Sequence, residues 1–254
     1  MSTTRLVERM ADRAQRMELA EASAGAALSG NDDGYIALTD SAFEIIRENL
    51  KRQPISLDLF DTVKSPSGGS TVFSVPGLTG DEAERELTGI VLDYSTPRAY
   101  WDSPDPVEGT PPTCMSADSI ISNDGKACLR CPFNDFGSKD GESNAKACKE
   151  SVLLVLLRPN SILPLLVRVP VTSKKRFLRY TTRLAGALTP VNSVVTRITL
   201  ERATSKGGKP YALFKFEALR KLDPQEAAGA SAYAQQFTEL LRVAEMAPVL
   251  ADAG

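Results

Sequence analysis

The stretch VVTRITLERATSKGGKPYALFKFEAL, residues 194–219, holds two β-prone runs separated by a glycine-rich turn, and its pattern decides the fold. Residues 194–202 and 211–219 read as an antiparallel hairpin with Ser205-Lys206-Gly207-Gly208-Lys209-Pro210 as the loop. Period-two alternation sends Ile198, Leu200, Phe214 and Phe216 toward a core and Arg197, Thr199, Tyr211 and Lys215 to the opposite face. That outer face is expected to be basic and aromatic.

Upstream, residues 174–184 read as a helix capped by Thr172 or Ser173, with Gly186 near its end. Phe177, Tyr180 or Thr181, and Leu184 should face inward, and Lys175, Arg179 and Arg183 outward. Before it, residues 151–157 and 162–171 read as strands joined by the turn Arg158-Pro159-Asn160-Ser161, with Pro164 and Pro170 placing the second at an edge or bulge. Further strands are expected over 55–60, 70–75 and 87–94. Residues 95–113 hold five prolines and no apolar periodicity, so a loop presenting Tyr100 and Trp101 is expected. Helices are expected over 4–24, over 40–52, and from Asp223 onward with Phe237, Leu240, Leu241 and Val243. The fold class is therefore α+β: a helical arm over 1–54, an OB-like antiparallel β-barrel core over 55–222, and a C-terminal helix over 223–254.

The 254 residues are 42% hydrophobic with a net charge of −2, an ordinary globular composition. No histidine is present, which removes Ser-His-Asp and Cys-His nucleophile systems, histidine-ligated zinc hydrolases and zinc deaminases. No run of 18 apolar residues exists and the N-terminus lacks a signal-peptide core, so no membrane association and a cytoplasmic location are expected. Charge is uneven: residues 1–110 carry 10 basic and 19 acidic side chains, whereas residues 171–222 carry 12 and 2, a local charge of +10. Such a segment is either a polyanion-binding face or a solvated face that offsets the acidic first half.

All four cysteines lie within 35 residues, in the pattern Cys114-x13-Cys128-x2-Cys131-x16-Cys148. In a chain without histidine this points to a four-thiolate structural zinc site within an insertion at about 111–150, with Phe133 and Phe136 packed around the metal. An iron–sulfur cluster, two disulfides or a redox pair are the alternatives.

Basic side chains that track phosphates and aromatic faces that stack bases are what single-strand binding requires. The phosphate candidates are Lys174, Lys175, Arg176, Arg179, Arg183, Arg197, Arg202, Lys206, Lys209 and Lys215. The stacking candidates are Tyr94, Tyr100, Trp101 and Tyr211, with core packing as the alternative for Tyr94.

Residues 87–222, with LTGIV at 87–91, PRAYW at 97–101, the four-cysteine insertion and VTSKKRFLRY at 171–180, resemble single-stranded-DNA-binding proteins of phages and mobile elements. The resemblance implies an OB fold with a zinc-bearing insertion, sequence-independent binding of single-stranded DNA in replication or recombination, and no enzymatic activity. It also implies that an N-terminal arm, here residues 4–24, supports self-association along the strand. The chain departs from the pattern in using four cysteines where a histidine replaces one, and in ending on APVLADAG rather than an acidic tail. Tail-mediated recruitment of replication proteins is accordingly in doubt. Two other classes stand beside this one: a magnesium-dependent nuclease built on Asp81, Glu82, Glu84 and Glu86, and a zinc-stabilised module that docks an acidic protein.

Overall fold

In the computed structural model of the protein, the described residues are 57–103, 110–139, 144–205 and 207–238, with Tyr35, Ile45, 48–51 and Val107. The helix expected over 4–24 lies outside them, as do Lys206, Leu240, Leu241 and Val243; of the helix expected over 40–52, Ile45, Glu48 and Asn49 are helical.

The chain is α+β. Among the described residues the main sheet runs in the order β1 (Thr62–Val63), β8 (Leu165–Pro170), β7 (Lys149–Leu157), β4 (Glu86–Ser95), β9 (Val194–Thr204), β10 (Pro210–Lys221). β5 (Arg98–Tyr100) pairs with both β7 and β6 (Cys114–Ser116), while β2 (Phe73–Val75) and β3 (Glu82–Glu84) form a separate ribbon. The sheet curls into a half-barrel, and no ladder among the described residues joins β1 to β10.

β7 explains the layering. Its run Val152 to Leu157 is buried on both faces, as a central strand requires. Leu153, Val155 and Leu157 face a core shared with Ala230, Tyr233 and Ala234 of α2 (Pro224–Thr238). Val152, Leu154 and Leu156 face a second core with Phe177, Tyr180 and Leu184 of α1 (Val171–Gly186) and Ile198, Leu200 and Phe214 of the hairpin. The C-terminal helix is thus part of the same packed unit. A capping box fixes its start: Asp223 accepts from the Gln225 and Glu226 amides at 2.9 and 2.8 Å, and Glu226 accepts from the Asp223 amide at 2.8 Å. β4 reaches β7 at Gly89, where an added Cβ would lie 2.4 Å from the Leu157 carbonyl.

The hairpin has the register its alternation predicts, with Phe214 opposite Leu200 and Phe216 opposite Ile198. Its other face is not simply basic: Arg197 pairs with Glu217 at 2.6 Å, and Glu201 shares that face with Lys215. Further expectations are corrected. Leu57–Leu59 is a 3-10 turn rather than part of a strand over 55–60. Of the acidic cluster proposed for a nuclease, Glu82 and Glu84 lie on β3 and Glu86 opens β4. Pro170 is the N-cap residue of α1 and neither Thr172 nor Ser173 caps it, because Ser173 is buried and its Oγ accepts from the Phe214 amide of edge strand β10 at 3.0 Å.

Candidate functional site

α1 is amphipathic in the manner its sequence predicts, with Phe177, Tyr180 and Leu184 buried and Lys175, Arg179 and Arg183 exposed. Tyr180 is pinned at 2.7 Å to Thr196 of β9. Two other cations of the helix are committed within the fold: Lys174 to Glu150 and Arg176 to Glu201 at 2.6 Å. Lys175, Arg179 and Arg183 have no acidic partner among the described residues, and neither do Arg202 and Lys209 beside the hairpin loop, whereas Lys215 shares the field of Glu201. Repeats of four residues set the three α1 cations about 6 Å apart along the axis.

The stacking candidates are placed differently from expectation. Trp101 is only 7% exposed, and its indole N–H donates to the Thr110 carbonyl at 2.8 Å. Tyr94 packs edge-on against Phe177 with centroids 4.8 Å apart, so its alternative of core packing holds. Tyr100 lies flat on Phe133 at 4.0 Å. Tyr211 is half-buried on the outer hairpin face.

Cys114, Cys128, Cys131 and Cys148 are free thiols that line one cavity of about 40 Å³. Phe133 lines it too, whereas Phe136 is 73% exposed and turned elsewhere. Among the described residues no three His, Cys, Asp or Glu side chains stand close enough to hold a metal ion, so the thiols share a cavity without converging on one point. Burial pushes the Cys148 thiol up to about 11 despite the nearby Arg98 charge, and burial with the Asp124 charge raises Cys114. A dication bound among them would reverse that preference by favouring thiolates. Four sulfur donors are the chemistry a soft ion takes, and among the described residues no carboxylate shares the cavity lining.

A larger cavity of about 530 Å³ opens beside the cysteines, between the insertion, β7, β8 and the start of α1. Trp101 and Phe136 form apolar walls, and Lys146, Lys149 and Arg168 contribute charge. Lys146 Nζ stands 4.5 Å over the Phe136 ring, and Lys149 Nζ 5.3 Å over that of Trp101. Glu150 also lines the cavity, but Arg98 at 3.2 Å and Lys174 compensate its charge. Burial works to raise its pKa, yet those two cations outweigh it and hold the carboxyl below its ordinary value. Lys146, Lys149 and Arg168 were not marked by any local motif, and Phe136 was expected at the metal, because the cavity gathers residues far apart in sequence. Cys148 lines both cavities.

Asp81 and Glu84 of the acidic cluster have partners, Ser74 at 2.6 Å and Arg158 at 2.7 Å. No helix among the described residues is long and apolar enough to cross a membrane. No protein-family model, curated protein or solved structure matches the chain.

Proposed function

We propose that the protein binds single-stranded DNA without reading its sequence, by neutralising phosphates along α1 and the hairpin tip. The observation that carries this is the row of Lys175, Arg179 and Arg183 on successive turns, exposed and without acidic partners among the described residues. A row of side-chain cations releases condensed counterions when a polyanion replaces them, whatever its bases. Arg202 and Lys209 near the hairpin loop and Lys215 on the outer hairpin face add exposed cations. The half-barrel is the part of the OB-like expectation that this reading uses.

The four thiolates would hold zinc, as a closed site that fastens the insertion and leaves no open position for catalysis. The alternative of an iron–sulfur cluster is distinguished by visible absorption. A second reading, a protein-interaction module, draws on Ile120, Ile121 and Leu129, which are exposed apolar side chains of the insertion.

The test is a salt titration of oligo-dT affinity for the protein and for the variant Lys175→Ala, Arg179→Ala, Arg183→Ala. Removal of three phosphate contacts should lower the slope of log affinity against log salt by about 2. An unchanged slope removes α1 from the interface.

A further inference from the structure

We infer that the cavity between Trp101 and Phe136 takes one nucleotide of the bound strand, its base on the aromatic walls and its phosphate on Lys146, Lys149 and Arg168. This rests on the single-strand reading and deepens it. A cavity of about 530 Å³ has the size of a small-molecule site, and it combines mostly apolar walls with a few convergent charges.

Charge complementarity selects the occupant. Among the described residues that line the cavity, the carboxylate Glu150 is already held by Arg98 and Lys174, while Lys146 and Lys149 have no acidic partner among the described residues, so the charge they bring favours an anion. The aromatic rings require that this anion carry a flat, apolar portion. Phe136 is the accessible platform at 73% exposure, and Trp101 forms the inner wall. Both ring faces are covered by lysine ammonium groups on flexible stems. A base arriving on a ring displaces the ammonium toward its own phosphate, exchanging an exposed cation–π contact for stacking plus an ion pair.

The position of the loop is fixed before binding. Gly137 and Lys139 amides donate to the Ala145 carbonyl at 3.1 and 3.2 Å, holding the turn that carries Phe136 against the segment that carries Lys146. Asn134 Oδ1 accepts from Lys146 Nζ at 3.0 Å.

Trp101 is the chain's sole tryptophan, so its emission reports the cavity directly. The full-length protein is titrated with oligo-dT and with an abasic oligomer of the same length, following both fluorescence and anisotropy. Oligo-dT should quench Trp101 and bind more tightly, and the abasic oligomer should bind without quenching. Phe136→Ala, at an exposed position where folding is not at stake, should weaken oligo-dT about tenfold, as loss of one stacked base does. It should leave abasic binding within twofold. Salt-sensitive oligo-dT binding with unquenched Trp101 and an unaffected Phe136→Ala variant overturns the pocket while leaving the single-strand reading intact. Equal quenching by a poly-glutamate peptide overturns the choice of a base. Failure of both oligomers to bind at low salt overturns the reading on which the inference rests.

Discussion

Asn134 Oδ1 accepts a hydrogen bond from Lys146 Nζ at 3.0 Å, and the same side chain's Nδ2 donates to the Cys128 carbonyl at 3.2 Å. Arg98 also donates to that Oδ1, so one buried amide ties the Cys128–Cys131 turn to β5 and to the segment that enters Cys148. Replacing Asn134 by Ala removes the tie, taking a partner from Arg98 and from Lys146 and leaving the Cys128 carbonyl with the Cys131 amide alone. The expected loss is about 1–3 kcal/mol of unfolding free energy, measured by chemical denaturation. An unchanged midpoint would show that the cysteine segment is held by other contacts.

Ser173→Ala should be costly and Thr172→Ala nearly silent. Ser173 is wholly buried, and its hydroxyl is the partner of the Phe214 amide on the outer side of β10. Leaving that amide unsatisfied costs about 1–3 kcal/mol. Thr172 is exposed at the start of α1. Equal effects of the two substitutions in thermal unfolding would restore a capping role.

Glu150 predicts the acid limb of the stability curve. Its folded carboxyl is held below the ordinary value of 4.5 by Lys174 and Arg98 against the opposing effect of burial. A depressed folded pKa contributes stability that is present above 4.5 and lost as pH falls through the folded value. Glu150→Gln should therefore lower stability at neutral pH and flatten its decline below that point. Parallel curves for the two proteins would show that Glu150 makes no net contribution.

Gly89→Ala should disrupt the crossing of β4 and β7. The added methyl would sit 2.4 Å from the Leu157 carbonyl and 3.0 Å from the Leu156 side chain, and neither can retreat from the centre of the sheet. Overpacking of this kind costs about 1–3 kcal/mol, and backbone on one side places it at the upper end. A variant with the parent's melting temperature would mean that the strands separate freely there.

The cysteines offer a metal test independent of nucleic acid. The purified protein should contain one zinc per chain, and a chelator should lower its melting temperature as the insertion loses its fastening. Cys128→Ser should abolish stoichiometric binding. A metal-free protein with unchanged melting behaviour would make the shared thiol cavity incidental.

What the sequence disclosed was local. Alternation in 194–219 placed Ile198 and Leu200 against Phe216 and Phe214, and three-to-four spacing sorted the faces of α1, because both patterns depend only on near neighbours. The cysteine spacing pointed to a four-thiolate site, and the four thiols share a cavity without converging on one point. Long-range partners were hidden. Proline content made Trp101 look exposed, but the Thr110 carbonyl, nine residues away, captures its indole. Ser173 had the chemistry of a cap and instead serves a strand 41 residues away. The larger cavity runs from Ser65 to Val171 in sequence, so no window of residues could reveal Phe136 and Lys146 as neighbours of Trp101.

The central claim is preferential, charge-driven binding of single strands, and it is met most directly by fluorescence anisotropy of the full-length protein with labelled oligo-dT and with duplex DNA of equal length across a salt series. Tighter binding of oligo-dT than of the duplex, with affinity falling steeply as salt rises, is the predicted result. Absence of binding at low salt, or equal affinity for both forms, would contradict it.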